Sequence, residues 1–150
     1  YTVGCTLWKA IAVPATTYAD DVLAYSRETT KCLERHQNEL GRWLLGGSLA
    51  TATAAVSGEM SWSSYEAREA KSKLQYAGRL EFMANTNYSR RMYLHLRYEN
   101  IKTDWIRKYT SLNTKYNRNS KHDTKSETEW RKAVFKEIRD AETTVWCTEA

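Results

Sequence analysis

Residues 67–84 read AREAKSKLQYAGRLEFMA, and this stretch decides the fold class. Small or apolar residues recur in it every three or four positions, which is the repeat of one face of an α-helix. The members of this face are Ala67, Ala70, Leu74, Ala77, Leu80 and Ala84. The stretch therefore predicts a helix that packs closely through small side chains, and the protein is predicted to be all-α.

The helical repeat continues toward the C-terminus through a second face of larger side chains. Its members are Leu94, Tyr98, Ile101, Trp105, Tyr109, Leu112 and Tyr116. Residues 63–116 contain no Pro and a single Gly, so the pattern predicts one long amphipathic helix, or two nearly collinear helices broken near 85–89. An unbroken helix of this length would span roughly 80 Å. We therefore expect an elongated or bundle-like molecule, with Tyr98, Ile101, Trp105, Tyr109 and Leu112 packing helix against helix.

The chain as a whole, residues 1–150, is predicted to be a single domain of three to four helices, the long one included. An earlier helix is predicted to begin at Thr17, with a buried face that runs from Tyr18 to Trp43. A last helix is predicted from the capping box of Ser126 and Glu129, ahead of an apolar face formed by Trp130, Val134, Ile138, Ala141 and Val145. Residues 1–16 are predicted to be an irregular N-terminal arm, and residues 113–125 a basic loop.

Composition and charge narrow the class of function. The chain has 150 residues with six Gly and one Pro, too few for a many-stranded fold with tight turns. Its net charge is +5, and the excess lies in residues 88–125. Such a segment is compatible with an anionic partner, either nucleic acid or lipid head groups, and equally with a basic face that only solvent and counter-ions cover. The candidate residues are Arg90, Arg91, Arg97, Arg107, Lys108, Lys115 and Arg118.

An uncharged window, WLLGGSLATATAAVSG, occupies residues 43–58. It is shorter than the about 20 apolar residues that cross a bilayer, although Trp residues lie where interfacial rings would. It is compatible with membrane contact, with a buried hairpin of small residues, or with a strand. The residues predicted to contact a membrane or a partner are Trp43, Leu44, Leu45, Leu49, Val56 and Trp62.

No pattern of residues typical of catalysis or of a metal site is present in the sequence. The three Cys lack a CxxC spacing, and Cys32 and His36 would share a helix face without further ligands nearby. A disulfide between Cys5 and Cys147, near the two ends of the chain, remains one alternative. We therefore expect a protein that is not an enzyme, with no metal, cofactor or small-molecule substrate.

In layout, residues 43–116 resemble the internal proteins that short-tailed phages eject into the host envelope. Those proteins pair a Gly-, Ala- and Ser-rich apolar stretch with a long helix, whereas the high aromatic content of this chain departs from their Ala- and Gln-rich helices. The resemblance implies a membrane-associated helical assembly protein that binds copies of itself. Two alternatives remain, a secreted helical bundle that binds a protein through exposed Trp and Tyr, and a helical nucleic-acid-binding protein. The corresponding locations are a virus particle, a membrane, or the outside of the cell.

Overall fold

The computed structural model describes residues 2–116 and 126–149, and regular structure within them is helical throughout. A π-helical turn, Trp8–Ala12, separates the first two α-helices. The α-helices are α1 Thr2–Leu7, α2 Val13–Thr16, α3 Arg27–Leu45, α4 Thr53–Met60, α5 Tyr65–Phe82, α6 Tyr88–Tyr98, α7 Asp104–Tyr116 and α8 Glu127–Glu149. The all-α class is confirmed.

The prediction of three to four helices is too low, chiefly because the long amphipathic segment is broken twice. The break near 85–89 is present, and Asn87 begins α6 by accepting the backbone N–H of Ser89 at 2.9 Å. A second break, missed by the sequence patterns, separates α6 from α7 at residues 99–103. Asn100 adopts a positive φ of 53° there, a left-handed conformation that Asn accepts more readily than most residues.

The chain divides into two compact units, and each has its own core. Unit 1 comprises residues 1–19, 25–68 and 140–150, and unit 2 comprises residues 20–24 and 69–139. In unit 1 a core of Val56, Met60 and Trp62 packs against Cys5, Trp8, Leu40, Leu44 and Leu45. The Trp8 and Trp62 rings stack with centroids 5.6 Å apart. Residues 2–16 are therefore helical and packed on this core, where the sequence predicted an irregular arm.

Helix α3 buries a different face from the one predicted. It begins at Ser26, whose side chain accepts the N–H of Thr29, so Tyr18 and the residues around it precede the helix. Of the predicted stripe, Cys32, His36 and Trp43 are exposed and Leu40 is half-buried against the core, whereas Gln37 and Gly41 are buried. Gly46 closes the helix at a φ of +67°, a left-handed conformation that Gly adopts without strain.

Unit 2 packs α5, α6, α7 and the first part of α8 around the small face of α5. Five residues of that face, Ala67, Ala70, Leu74, Ala77 and Leu80, are buried as predicted, while Ala84 is exposed. Helix α8 begins at its predicted capping box, where the Ser126 hydroxyl accepts the Glu129 N–H at 3.3 Å. Trp130, Val134 and Ile138 are buried on this helix, and Val145, predicted to be buried, is exposed.

The predicted basic loop at 113–125 lies partly within α7, which continues to Tyr116. The rest of that prediction, residues 117–125, lies outside the described residues.

Candidate binding groove

An apolar groove of about 320 Å³ crosses the surface of unit 2, and we name it the aromatic groove. Helices α5, α6 and α7 and the 20–24 segment all contribute to its walls. The lining comprises Val22, Tyr76, Leu80, Tyr88, Ser89, Met92, Tyr93, Leu96, Thr103 and Trp105. Of these, Val22, Tyr88 and Met92 are among the large apolar side chains that the structure leaves exposed. Exposed rings and Met at the edge of a concave apolar surface are typical of a protein-binding site.

The floor of the aromatic groove is a cluster of rings centred on Trp105. The Trp105 ring stacks on Tyr109 with centroids 5.3 Å apart and planes 5° from parallel. Tyr93 and Tyr76 meet Trp105 edge to face, at 6.1 and 6.2 Å. Edge-to-face and offset-stacked pairs are the arrangements that aromatic rings favour, so the rings of the floor are well packed.

One wall of the groove, the 20–24 segment, is held in place by three hydrogen bonds from long side chains. Lys73 donates to the carbonyl oxygen of Asp20 at 2.5 Å and also to that of Leu23. Trp105 donates its indole N–H to the carbonyl oxygen of Asp21 at 2.7 Å. These bonds replace the backbone pairing that a helix or strand would supply, and they fix Val22 at the groove.

The Lys73 ammonium belongs to a buried charge cluster with Asp20, Glu69 and Lys108. Its nitrogen lies 3.4 Å from one Glu69 oxygen, and the Lys108 nitrogen lies 3.1 Å from the other. Asp20, Glu69 and Lys73 are all nearly inaccessible to solvent. Burial lowers the pKa of Lys73, and the nearby carboxylates of Glu69 and Asp20 oppose that shift. In this cluster the two Lys cations are balanced by the two carboxylates, beside the carbonyl groups that Lys73 binds.

The opposite side of α6 borders a second cleft, of about 420 Å³, which we name the basic cleft. It is lined by Glu81, Arg90, Leu94, Arg97 and Tyr98. Within it Arg97 forms an ion pair with Glu81, and the Tyr93 hydroxyl donates to the same carboxylate at 3.1 Å. Arg90 donates to the backbone carbonyl of Met83. The cations of this cleft are therefore already engaged with protein groups.

The predicted anion-binding residues differ in their exposure and in the protein groups that they contact. Lys108 is half-buried against Glu69, and Arg107 lies 3.6 Å from Asp104 on α7. Arg91 and Lys115 are exposed, with the Lys115 nitrogen 5.2 Å from the centre of the Tyr116 ring. Arg118 lies outside the described residues.

The predicted membrane-contact residues also separate into two groups. Trp43 and Leu49 are 76% and 86% exposed in unit 1. Leu44 and Leu45 are half-buried against the core, and both Val56 and Trp62 belong to it. The uncharged window is a helical hairpin, formed by the end of α3, a connection at 46–52 and α4. Val56 and Trp62 cannot meet an outside partner unless unit 1 unpacks.

The predicted helix-packing residues divide in a similar way. Trp105, Tyr109 and Leu112 pack within unit 2, two of them in the ring cluster. Tyr98 is exposed at the end of α6, and Ile101 is exposed in the second break. The interruption at 99–103 is the reason, because the predicted stripe assumed a continuous helix.

One exposed apolar surface was missed by the sequence reasoning altogether. Val3, Leu7 and Ile11 are 73%, 53% and 63% exposed along the N-terminal helical segment, and we name them the N-terminal stripe. Their spacing of four residues is present in the sequence. Because residues 1–16 were predicted to be irregular, this spacing was not interpreted as one face of a helix. The opposite side of the segment is packed, since Cys5 and Trp8 contact the core of unit 1.

The described residues contain no group of three His, Cys, Asp or Glu side chains that could hold a metal ion. Cys5, Cys32 and Cys147 are free thiols in the structure. Across residues 2–116 and 126–149, every helix is too short or too polar to cross a membrane. Comparisons of the chain with protein-family models, with curated proteins and with solved structures found no match.

Proposed function

We propose that this protein acts by binding a helical segment of a protein partner in the aromatic groove, and that it is not an enzyme. The observation that carries the proposal is the groove itself, an apolar channel of about 320 Å³ whose exposed edge carries Tyr88, Met92 and Val22. A helix binds such a channel by inserting apolar side chains three or four residues apart. Tyr and Met at the edge supply a large contact area with adaptable shape.

The ring packing and hydrogen bonds that form the groove support a binding role. Its floor is the ring cluster around Trp105, and its 20–24 wall is fixed by hydrogen bonds from Lys73 and Trp105. A site that is already formed spends little free energy on ordering when the partner arrives.

The buried charge cluster supports binding over catalysis. Glu69 and Lys73 are inaccessible to solvent, and the Lys73 nitrogen is directed at two backbone carbonyl groups. A general acid or base must reach the proton that it transfers in a bound substrate. These groups instead hold the wall of the groove.

A displayed library of helical peptides, selected on the intact protein, tests the proposal. We expect enriched peptides with apolar residues at helical spacing, and at least about tenfold weaker binding to M92D, because an Asp there is desolvated without a partner. The matched control is T110D, which adds the same charge at an exposed position of α7. A selection in which no peptide discriminates M92D from T110D would contradict the proposal.

Membrane association through unit 1 is a second candidate function, favoured by one observation. Trp43 and Leu49 are the most exposed large apolar residues of the uncharged window. A Trp and a Leu that protrude from a protein can enter the interfacial region of a bilayer. Leu44 and Leu45 are unsuitable for the test because they pack on the core. We expect the double variant W43S/L49S to lose flotation with vesicles of phosphatidylcholine and phosphatidylglycerol, and retained flotation would argue against it.

A further inference from the structure

The N-terminal stripe forms an unpartnered apolar ridge on unit 1. The exposed residues Thr6 and Ala10 beside it are uncharged, and exposed Lys9 is the only charged residue in residues 2–16. Within α1 a step of four residues overshoots a full turn by about 40°. The π turn that follows takes more residues per turn, so the step from Leu7 to Ile11 offsets this drift. Val3, Leu7 and Ile11 therefore remain on one side of the segment.

A wall of the aromatic groove has the same repeat as the stripe. Tyr88, Met92 and Leu96 line the groove from α6 at a spacing of four, as Val3, Leu7 and Ile11 are spaced along the N-terminal segment. Each set covers roughly 12 Å at 1.5 Å per residue. Two helices that both present ridges of spacing four interdigitate in the commonest class of helix packing.

The charges of the two units favour contact between a unit 1 and a unit 2 of different molecules. Unit 1 has six Lys and Arg against eight Asp and Glu, a formal charge of −2. Unit 2 has 17 Lys and Arg against ten Asp and Glu, a formal charge of +7. These opposite net charges favour the encounter of a unit 1 with a unit 2, whereas two copies of unit 2 repel each other.

From these observations we propose that the aromatic groove of one molecule binds the N-terminal stripe of a second copy, so that the protein associates head to tail. The inference rests on the proposed binding function of the groove and names its occupant. Such an interface is heterologous, because the two molecules contribute different surfaces, and it therefore extends into chains unless the rotation closes a ring. A single helix in a groove buries an area near the lower end of specific interfaces, about 1,200 Å² in total or less, so the association is weak and reversible.

Mixing two variants that each lack one surface tests the proposal. I11D removes the stripe and keeps the groove, while M92D removes the groove and keeps the stripe. In sedimentation velocity we expect the average mass of the parent protein to rise with concentration past that of a dimer. Each variant alone is expected to stay monomeric, with association at least about tenfold weaker. An equimolar mixture is expected to stop at a heterodimer, since only one intact pair of surfaces remains.

The mixture contains its own control for folding, because a heterodimer forms only if both variants are folded. Matched controls are S48D and T110D, which add the same charge at exposed positions of unit 1 and unit 2 and should associate as the parent does. A monomeric parent, or a mixture that stays monomeric, would overturn the proposal. If the parent protein floats with phosphatidylcholine vesicles, I11D does not, and the mixture forms no heterodimer, the proposal is overturned and the stripe binds lipid instead.

Failure of this inference can be separated from failure of the proposed function. Helical peptides that bind the parent and not M92D, together with a monomeric mixture, would mean that the groove binds a different protein. If neither a peptide nor a second copy discriminates M92D from T110D, both proposals are wrong.

Discussion

Lys73 is the residue on which the 20–24 segment depends. Its ammonium binds two backbone carbonyl groups and Glu69 in a site that solvent does not reach. A buried cation is costly unless every contact it makes is retained. The sequence offered no sign of this role, because Lys73 lies among ordinary surface-like charges in residues 67–84, and the carbonyl groups that it binds, those of Asp20 and Leu23, are 53 and 50 residues away in the chain.

We expect K73M to lower the free energy of unfolding by about 3 kcal/mol. This is the lower end of the cost of breaking a buried ion pair, because Glu69 would still be paired with Lys108. Urea denaturation followed by circular dichroism measures this. The control is K132M, an exposed Lys on α8, which should stay within about 0.5 kcal/mol of the parent. Equal stabilities for K73M and K132M would mean that Lys73 contributes nothing to the fold.

Glu34 supplies a second prediction at a single residue. Its carboxylate accepts the backbone N–H of Tyr65 at 2.5 Å and that of Glu66 at 3.3 Å, so it caps the first turn of α5. Burial raises the pKa of Glu34 above its ordinary value, and the nearby Glu142 carboxylate acts in the same direction. The backbone N–H groups and the Arg68 cation oppose the shift.

Because the folded-state pKa is raised, the unfolded chain loses the Glu34 proton first as the pH rises. The parent protein should therefore lose stability relative to E34Q as the pH rises from about 4.5 through the raised pKa. Below about 4.5 the difference in stability between the two proteins should not change with pH. E34Q keeps an acceptor oxygen for the cap and removes the charge. Melting temperatures of both proteins across the pH series give the difference, and a difference independent of pH would contradict the prediction.

Among the helices, α5 and α8 approach each other closely at Gly78 in unit 2. A Cβ atom at Gly78 would overlap the Trp130 indole, whose N–H donates to the Leu74 carbonyl at 2.8 Å. Gly in a helix costs about 1 kcal/mol relative to Ala, yet here it makes room for a buried ring. We expect G78A to destabilise the protein by about 2 kcal/mol, the net result of overpacking against that gain.

The control for G78A is G58A on α4. A Cβ atom at Gly58 would meet Trp146 at 3.7 Å, which is ordinary contact, so the variant should be neutral or more stable by up to about 1 kcal/mol. Thermal unfolding of both variants decides the matter. If G78A is as stable as G58A, the close approach of Trp130 to α5 is not as the structure has it.

The helices also show what a pattern of apolar residues can and cannot predict. The faces of α5 and the start of α8 were predictable because small and apolar residues occupy their buried positions. The buried face of α3 was not, because Gln37 and Gly41 occupy it. Gln37 is buried since its amide donates to the Ser63 carbonyl at 3.1 Å and accepts from Arg68 at 2.7 Å. A polar residue satisfied by distant partners leaves no periodic signal.

The aromatic groove could not be predicted from the sequence, since its walls join residues from Val22 to Trp105. Two local features of the chain assemble it, the turn at Asn100 and the carbonyl groups bound by Lys73 and Trp105. The turn at Asn100 interrupts a helix that the apolar repeat predicts to be continuous. The carbonyl groups are bound by side chains that are distant in the sequence. Only the aromatic richness of the region was visible beforehand.

Over the whole molecule, charge is divided between the units, with −2 in unit 1 and +7 in unit 2. If the protein binds nucleic acid, as one alternative from the sequence has it, the polyanion should therefore bind to unit 2. Arg91, Lys102 and Arg107 are exposed cations of this unit, and Arg107 also lies 3.6 Å from Asp104. Each neutralised phosphate of a single strand releases counter-ions and contributes about 0.7 to the slope of log K against log salt.

We expect R91Q/K102Q/R107Q to weaken binding of a fluorescent oligothymidylate and to reduce the salt slope by about two, since three contacts at about 0.7 each are lost. The control R27Q/K31Q/R35Q removes three exposed charges from α3 in unit 1, so it changes the net charge of the protein equally. Fluorescence anisotropy across a salt series measures both slopes. If the phosphate contacts are confined to unit 2, the control should keep the parent's slope. Counter-ion release depends on which cations contact phosphates and not on the total charge of the protein. Equal slopes for the two triple variants would mean that the division of charge between the units does not guide binding.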